Sequence, residues 1–229
     1  MKNDTLSYML VRSNRKTIAL YIRPDATVEV RAPKHTPIFE IEKFISSKTD
    51  WIRQKLLLTQ NQCEQKELFL LDFNSRLLLH GKEFPIIPHY GNQAGFDGER
   101  FYMPSHFHGA QFKHTCIQLY KMFAKQVLPA RTYDIAQQMN LSPANIRITS
   151  AKSQWGSCSA KKNISYSWRL IMADEEVVDY VIVHELAHLV EMNHSTRFWN
   201  IVASALPDYK ERQKQLKELQ KRLAVEVWD

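Results

Sequence analysis

Cysteine is scarce in this chain. There are three, Cys63, Cys116 and Cys158, an odd number with no C-x-x-C pairing. That argues against a disulfide framework and for a reduced, cytoplasmic location. No apolar run reaches the ~18 residues of a membrane span. The opening segment, Met1-Lys2-Asn3-Asp4-Thr5, carries no hydrophobic signal region. Repeats, low-complexity tracts and obvious linkers are also missing. No helix-turn-helix or zinc-finger signature is present. What remains is a chain of 229 residues, 44% hydrophobic with five Trp, enough for one large core or two small ones. Its net charge is +7, and residues 1–60 hold 11 basic against 6 acidic side chains. A basic excess there can attract nucleic acid or nucleotide phosphates, or can simply be a solvated surface.

The informative segment is His184-Glu185-Leu186-Ala187-His188, followed by His194. It reads H-E-x-x-H-x5-H. Nine His and the Glu content of this chain predict roughly 0.02 chance copies of H-E-x-x-H. Residues four apart share a helix face, so the first two imidazoles can hold one Zn²⁺. Glu185 between them is placed to take a proton from water at the metal. Val178, Ile182, Leu186, Leu189 and Val190 fall on the opposite side, which predicts a core-packed helix with a narrow polar stripe.

Two residues compete as third ligand. Glu191 shares the face of His184 and His188. His194 reaches the metal only if the helix ends before it and the chain turns back. Asn193 is the expected hinge, because Asn tolerates the left-handed conformation that ends helices. Three protein ligands leave a fourth position open, as in catalytic sites. Cys158 is weighed as a fourth ligand against an inert buried thiol.

Tyr8–Arg12, Lys16–Ile22 and Thr27–Arg31 read as strands, followed by helices from Pro37 to about Ser47 and from Asp50 to about Gln60. Arg76–Leu79, Phe84–Pro88 and Phe101–Met103 read as further strands, and Ala110–Asn140 as a long helix containing Pro129. Ile146–Ala151 and Asn163–Arg169 read as a strand pair, with a long connection carrying Trp155-Gly156-Ser157-Cys158. Asp174 is the expected cap of the metal helix, with Glu175 and Glu176 at its positive end. A short helix follows Ser195, and a last amphipathic helix runs from Asp208 to about Val225. The expected fold class is α+β: a basic strand-and-helix region over residues 1–107, and a minimal zincin-like core of antiparallel strands plus the metal helix over 108–229.

Trp155 either covers the site or packs in the core. Gly156 permits close backbone approach, and Ser157 or nearby backbone N–H groups can stabilise an oxyanion. Arg169 either binds a substrate carboxylate or phosphate or holds a structural carboxylate such as Glu191. One of the two strands, Ile146–Ala151 or Asn163–Arg169, is expected to offer an edge to an extended peptide. His106, His108 and His114 read as surface residues.

His184-Glu-Leu-Ala-His188, Asn193-His194-Ser195 and Phe198-Trp199 together resemble the YgjP-like metallopeptidase family. Gln154 to Ser159, Ser167 to Leu170, Lys16 to Leu20 and Val28 to Pro33 are similar to it as well. The ending is also similar to the SprT and WLM protease groups, which act on DNA-bound proteins. The resemblance implies a zinc-dependent hydrolase with a minimal peptidase core. It also leaves a second activity open, since a bacterial member has been assigned UTP pyrophosphatase activity. A metallopeptidase acting on a peptide or protein is the leading expectation. A nucleoside triphosphate pyrophosphatase is the alternative, for which Lys152, Lys161, Lys162 and Arg169 would supply phosphate contacts. It usually also needs a carboxylate-held Mg²⁺ or Mn²⁺, and no carboxylate-rich motif is present. A nucleic-acid-binding module with structural zinc is the weakest reading.

Overall fold

The computed structural model describes residues 6–228. The chain divides into two compact units. The first runs to residue 69 and includes 224–227; the second holds 70–223 and Trp228. The expected boundary near 107/108 thus moves to 69/70. The reason is local: the turn at His80-Gly81 hydrogen-bonds to the segment that precedes the helix at Glu175–Ala187.

In the first unit, β1 (Met9–Ser13), β2 (Ala19–Ile22) and β3 (Val28–Pro33) form a sheet of order β1-β3-β2, with β1 parallel and β2 antiparallel to β3. Val28, Val30 and Ala32 alternate onto one face. They pack on Ile41 and Ile45 of α1 (Ile38–Ser46) and on Ile52 of α2 (Thr49–Leu68). Glu29 faces the opposite side, yet is buried, clamped by Arg23 at 2.6 Å and Arg31 at 2.5 Å. The helix starting near Asp50 runs to Leu68, past the expected Gln60.

The second unit contains β4 (Arg76–Leu79), β5 (Lys82–His89), β6 (Gly95–Phe96) and β7 (Phe101–Pro104), ordered β4-β5-β7-β6. His80 and Gly81 close the β4–β5 hairpin with φ of 49° and 74°. Both positive values suit a tight two-residue turn. This tip docks on the 3₁₀ turn Trp168–Met172: His80 N–H donates to the Ile171 carbonyl and Gly81 N–H to that of Met172, each at 3.0 Å. A Cβ on Gly81 would overlap the Asp174 carboxylate.

α3 (Gly109–Gln138) is one continuous helix with Pro129 inside it. Its buried row, Phe112, Cys116, Tyr120, Leu128 and Ile135 among others, lines the core. Tyr120 stacks on Trp168 at 5.6 Å, and Trp228 meets both rings edge-on.

β8 (Asn145–Thr149), β9 (Gly156–Cys158) and β10 (Asn163–Ser167) form a third sheet, ordered β8-β10-β9. β8 and β10 are parallel, and β9 is antiparallel to β10. The expected strand pair is present, but its connection contains a strand of its own, and that strand makes the antiparallel pairing. α4 (Glu175–Ala187), α5 (Thr196–Ala205) and α6 (Tyr209–Leu223) complete the unit. Among the described residues no helix is long and apolar enough to cross a membrane.

Candidate metal centre

α4 is buried around most of its circumference, with Val177, Val178, Val181, Ile182, Val183, Leu186 and Ala187 all inside. The expected single polar stripe therefore sits on a central helix and not on a surface one. Asp174 occupies the N-cap position, but its side chain makes no capping bond. Its backbone carbonyl accepts from Val177 and Val178 instead. Arg131 of α3 grips Asp179 of α4 through two bonds of 2.7 and 2.6 Å, which fixes the helix laterally.

The helix ends at Ala187, with His188 at its C-cap. Leu189, Val190 and Glu191 fold back by donating to the carbonyls of Leu186 and Ala187. Asn193 is not in the left-handed region, so it is not the hinge. Its Oδ1 accepts from Ser195 N–H at 3.0 Å, and Ser195 Oγ then accepts from Phe198 N–H to start α5. The turn thus forms earlier than the Asn signal suggested, through ordinary helix-end bonds.

This path returns His194 to the helix. Its Nε2 lies 3.0 Å from the Nε2 of His184. One ligand atom from each of His184, His188 and His194 lies within 4.8 Å of the others, a group that could hold a metal ion. Burial, and then the neighbouring His188 and His194, push the His184 imidazole down to about 4. Burial also lowers His188, whose Nδ1 contacts the Glu191 carbonyl at 3.0 Å. Neutral imidazoles are the ligating form. Glu191 meets the centre through that carbonyl, and its carboxylate is not part of the donor group.

Glu185 is 5% exposed, and its Oε2 has no hydrogen-bond partner among the described residues. Burial alone pushes its carboxyl up to about 8. Gly156 explains how it fits: a Cβ there would stand 2.6 Å from Glu185 Oε1 and 2.7 Å from its Cγ. The backbone of β9 therefore lies directly on the carboxylate.

β10 is the central strand of its sheet, so the expected edge at Asn163–Arg169 is not one. β9 is the edge strand packed on α4. Trp155 accepts from Ser167 N–H at 2.9 Å, Ser159 donates to the Asn163 carbonyl at 2.9 Å, and Ser157 pairs with Ser165 between them. In an antiparallel ladder, hydrogen-bonded pairs alternate with outward-facing ones. The N–H and C=O of Gly156 and Cys158 therefore point away from β10, while those of Ser157 point into the sheet.

Trp155 sits half-buried at the start of this strand. Arg169 is 9% exposed, donates to the carbonyls of Ser150 and Ala151, and lies over the Trp168 ring at 4.6 Å. Cys158 is outside the metal group, and its thiol is raised by burial and then by the Glu185 charge. Lys161 and Lys162 form the exposed β9–β10 turn. His106, His108 and His114 join no metal-holding group among the described residues.

Sequence reading overlooked the aromatic surround. Fully buried Phe198 contacts all three imidazoles at ring-centroid distances of 4.9, 4.5 and 4.7 Å. Tyr180, one turn before His184, lies 6.0 Å from its ring. The four-residue spacing Tyr180–His184 was the available signal.

No curated protein sequence matches this chain. Two crystal structures of metallopeptidase zymogens are similar to part of it. Abylysin of Pyrococcus abyssi shares 21% identity at a TM-score of 0.38, over 44% of this chain and 99% of that one. Jannalysin of Methanocaldococcus jannaschii shares 27% identity at a TM-score of 0.36, over 42% of this chain and 96% of that one. The model of the YgjP-like metallopeptidase domain matches residues 16–219. A match over that span takes in the histidine cluster and every described strand except β1, and the chain belongs to the YgjP-like metallopeptidase family.

Proposed function

We propose that this chain is a zinc metallopeptidase in which His184, His188 and His194 hold the ion and Glu185 moves the proton. The observation that carries this reading is the set of three clustered imidazoles together with the buried Glu185 carboxylate, whose Oε2 has no partner among the described residues. The donor set fits zinc. Tetrahedral Zn–N bonds of about 2.0–2.1 Å put ligand nitrogens about 3.3 Å apart. The His184–His194 separation of 3.0 Å is close to that. Two imidazole nitrogens facing each other this closely also call for a shared proton or a cation between them.

A divalent ion held there would supply Lewis acidity, acidifying water and polarising a carbonyl near neutral pH. Among the described residues, Glu185 is the carboxylate placed between the two helical imidazoles for proton transfer. Its burial favours the protonated form, and a nearby cation would oppose that shift, leaving a carboxyl able both to accept and to release a proton. It takes the proton of the attacking water at an Oε atom and delivers it to the leaving nitrogen.

β9 supplies the binding edge. The outward N–H and C=O groups of Gly156 and Cys158 can pair with an extended peptide. Of the expected oxyanion donors, the backbone N–H groups of Gly156 and Cys158 and the Ser157 hydroxyl are left for that role, because the backbone of Ser157 is committed to β10. Arg169 holds the 150–151 segment in place, and Trp155 opens the strand. The substrate class is therefore an extended segment of peptide or protein.

Metal analysis tests the ligand set. Wild type should hold one zinc per chain after dialysis, and each of the His184→Ala, His188→Ala and His194→Ala variants should lose it. Full retention in His194→Ala would remove His194 from the site.

A further inference from the structure

A ligand imidazole is ordinarily aimed by a hydrogen bond from its other ring nitrogen. Here His188 has such a contact, with the Glu191 carbonyl. The Nδ1 of His184 is buried with no hydrogen-bond partner. His194 lies on the irregular segment between α4 and α5, is exposed, and makes its hydrogen-bond contact with His184 itself. Two of the three rings therefore lack the usual polar support among the described residues.

Flat aromatic rings stand in its place. Trp199 stacks on His194 at 5.7 Å with an interplanar angle of 27°. The same indole meets the edge of His184 at 5.9 Å. Tyr209, at the start of α6, stacks on Trp199 at 5.4 Å and 20°. The ladder His194–Trp199–Tyr209 runs from an exposed ligand to a separate helix. Phe198 also touches the ligands, but it is fully buried and belongs to the core.

We infer that Trp199, backed by Tyr209, is a positioning residue for the third ligand. It fixes the plane of the His194 ring by stacking, in place of the hydrogen bond that His194 and His184 lack. Without the stack, a ligand on an irregular segment samples several rotamers, and ordering it on metal binding costs affinity. The inference rests on the three-histidine reading above, and its test separates the two.

Zinc affinity is measured on the full chain by competition with a chromophoric chelator, with the folding of the metal-free protein checked by circular dichroism. Trp199→Leu keeps apolar bulk but loses the ring face. It should weaken zinc binding about 10–100-fold, the cost of losing an outer-shell partner. Trp199→Phe restores a flat ring and should stay within about threefold of wild type. Tyr209→Leu should fall between them, and His194→Ala should lose at least as much as Trp199→Leu. With cobalt(II) in place of zinc, the Trp199→Leu absorption spectrum should shift toward that of His194→Ala, and the Trp199→Phe spectrum should not. Wild-type affinity in Trp199→Leu, alongside a loss in His194→Ala, overturns the inference and leaves the ligand set standing. Equal losses in Trp199→Leu and Trp199→Phe also overturn it. Wild-type affinity in His194→Ala removes the ligand reading and the inference with it. Should Trp199→Leu fail to fold, Tyr209→Leu decides, and unchanged affinity there refutes the ladder.

Discussion

Substituting Gly156 by Ala probes the contact between β9 and Glu185 with a single methyl group. The added carbon would lie 2.6, 2.7 and 2.8 Å from Glu185 Oε1, Cγ and Cδ. Ordinary contacts need about 3.5–4.0 Å, so roughly 1 Å of relief is required. Neither side gives easily. Glu185 is 5% exposed on a helix buried nearly all round, and β9 is tied to β10 at Trp155–Ser167 and Ser159–Asn163. Gly156 is not in the left-handed region, so backbone strain adds nothing and the effect isolates the contact. Overpacking of this kind costs about 1–3 kcal/mol. A misplacement of about 1 Å in a reacting group costs up to about 10²-fold in rate. Gly156→Ala should therefore lose about 10–100-fold in kcat on a peptide substrate. Its Tm should drop several degrees, and its zinc content should be unchanged. Shortening the acid in Gly156→Ala/Glu185→Asp should recover part of the Tm but not the rate. Wild-type kcat and Tm in Gly156→Ala would show that the strand does not press on Glu185.

Other parts of the structure give further expectations. Gly81→Ala combines a positive φ with overlap of the Asp174 carboxylate, and should cost about 1–3 kcal/mol in thermal unfolding. Ser195→Ala removes the cap from the helix carrying Phe198 and Trp199, at a cost of about 1 kcal/mol by denaturant titration. The Arg31 hydrogen bond, followed by the Arg23 contacts, holds the Glu29 carboxyl below its usual range. Its stabilising contribution is thus present above the ordinary carboxylate pKa and is lost as pH falls through the depressed value. Glu29→Gln should lower the unfolding midpoint at neutral pH, with the gap closing in acid.

The legible parts of the molecule were those with a period or a motif. β3 alternates over Val28, Val30 and Ala32, turn residues separate the three N-terminal strands, and α3 repeats its apolar residues at helical spacing, so these were readable. The H-E-x-x-H spacing located α4 and brought His184 and His188 to one face, because four residues make about one turn. β9 was hidden because its core is Gly156-Ser157-Cys158, three small residues with no β-branched or aromatic signal. Its strand character comes from pairing with β10, a tertiary effect. The hinge was misplaced for a similar reason: Asn193 has the right chemistry for a left-handed cap but uses its side chain to start the next turn. The unit boundary was misjudged because no linker composition marks residue 69, while the hairpin tip at His80-Gly81 ties β4 and β5 to the segment before α4.

The central claim, that Glu185 moves the proton at a metal held by three histidines, is met most directly by Glu185→Gln. The substitution keeps the side chain's size against Gly156 and removes its basicity. Peptide cleavage by zinc-loaded protein should fall about 10²–10⁴-fold, the usual loss for a general base. Zinc stoichiometry and Tm should stay near wild type, since Glu185 is outside the donor group. A Glu185→Gln protein that keeps both its zinc and wild-type turnover would contradict the account.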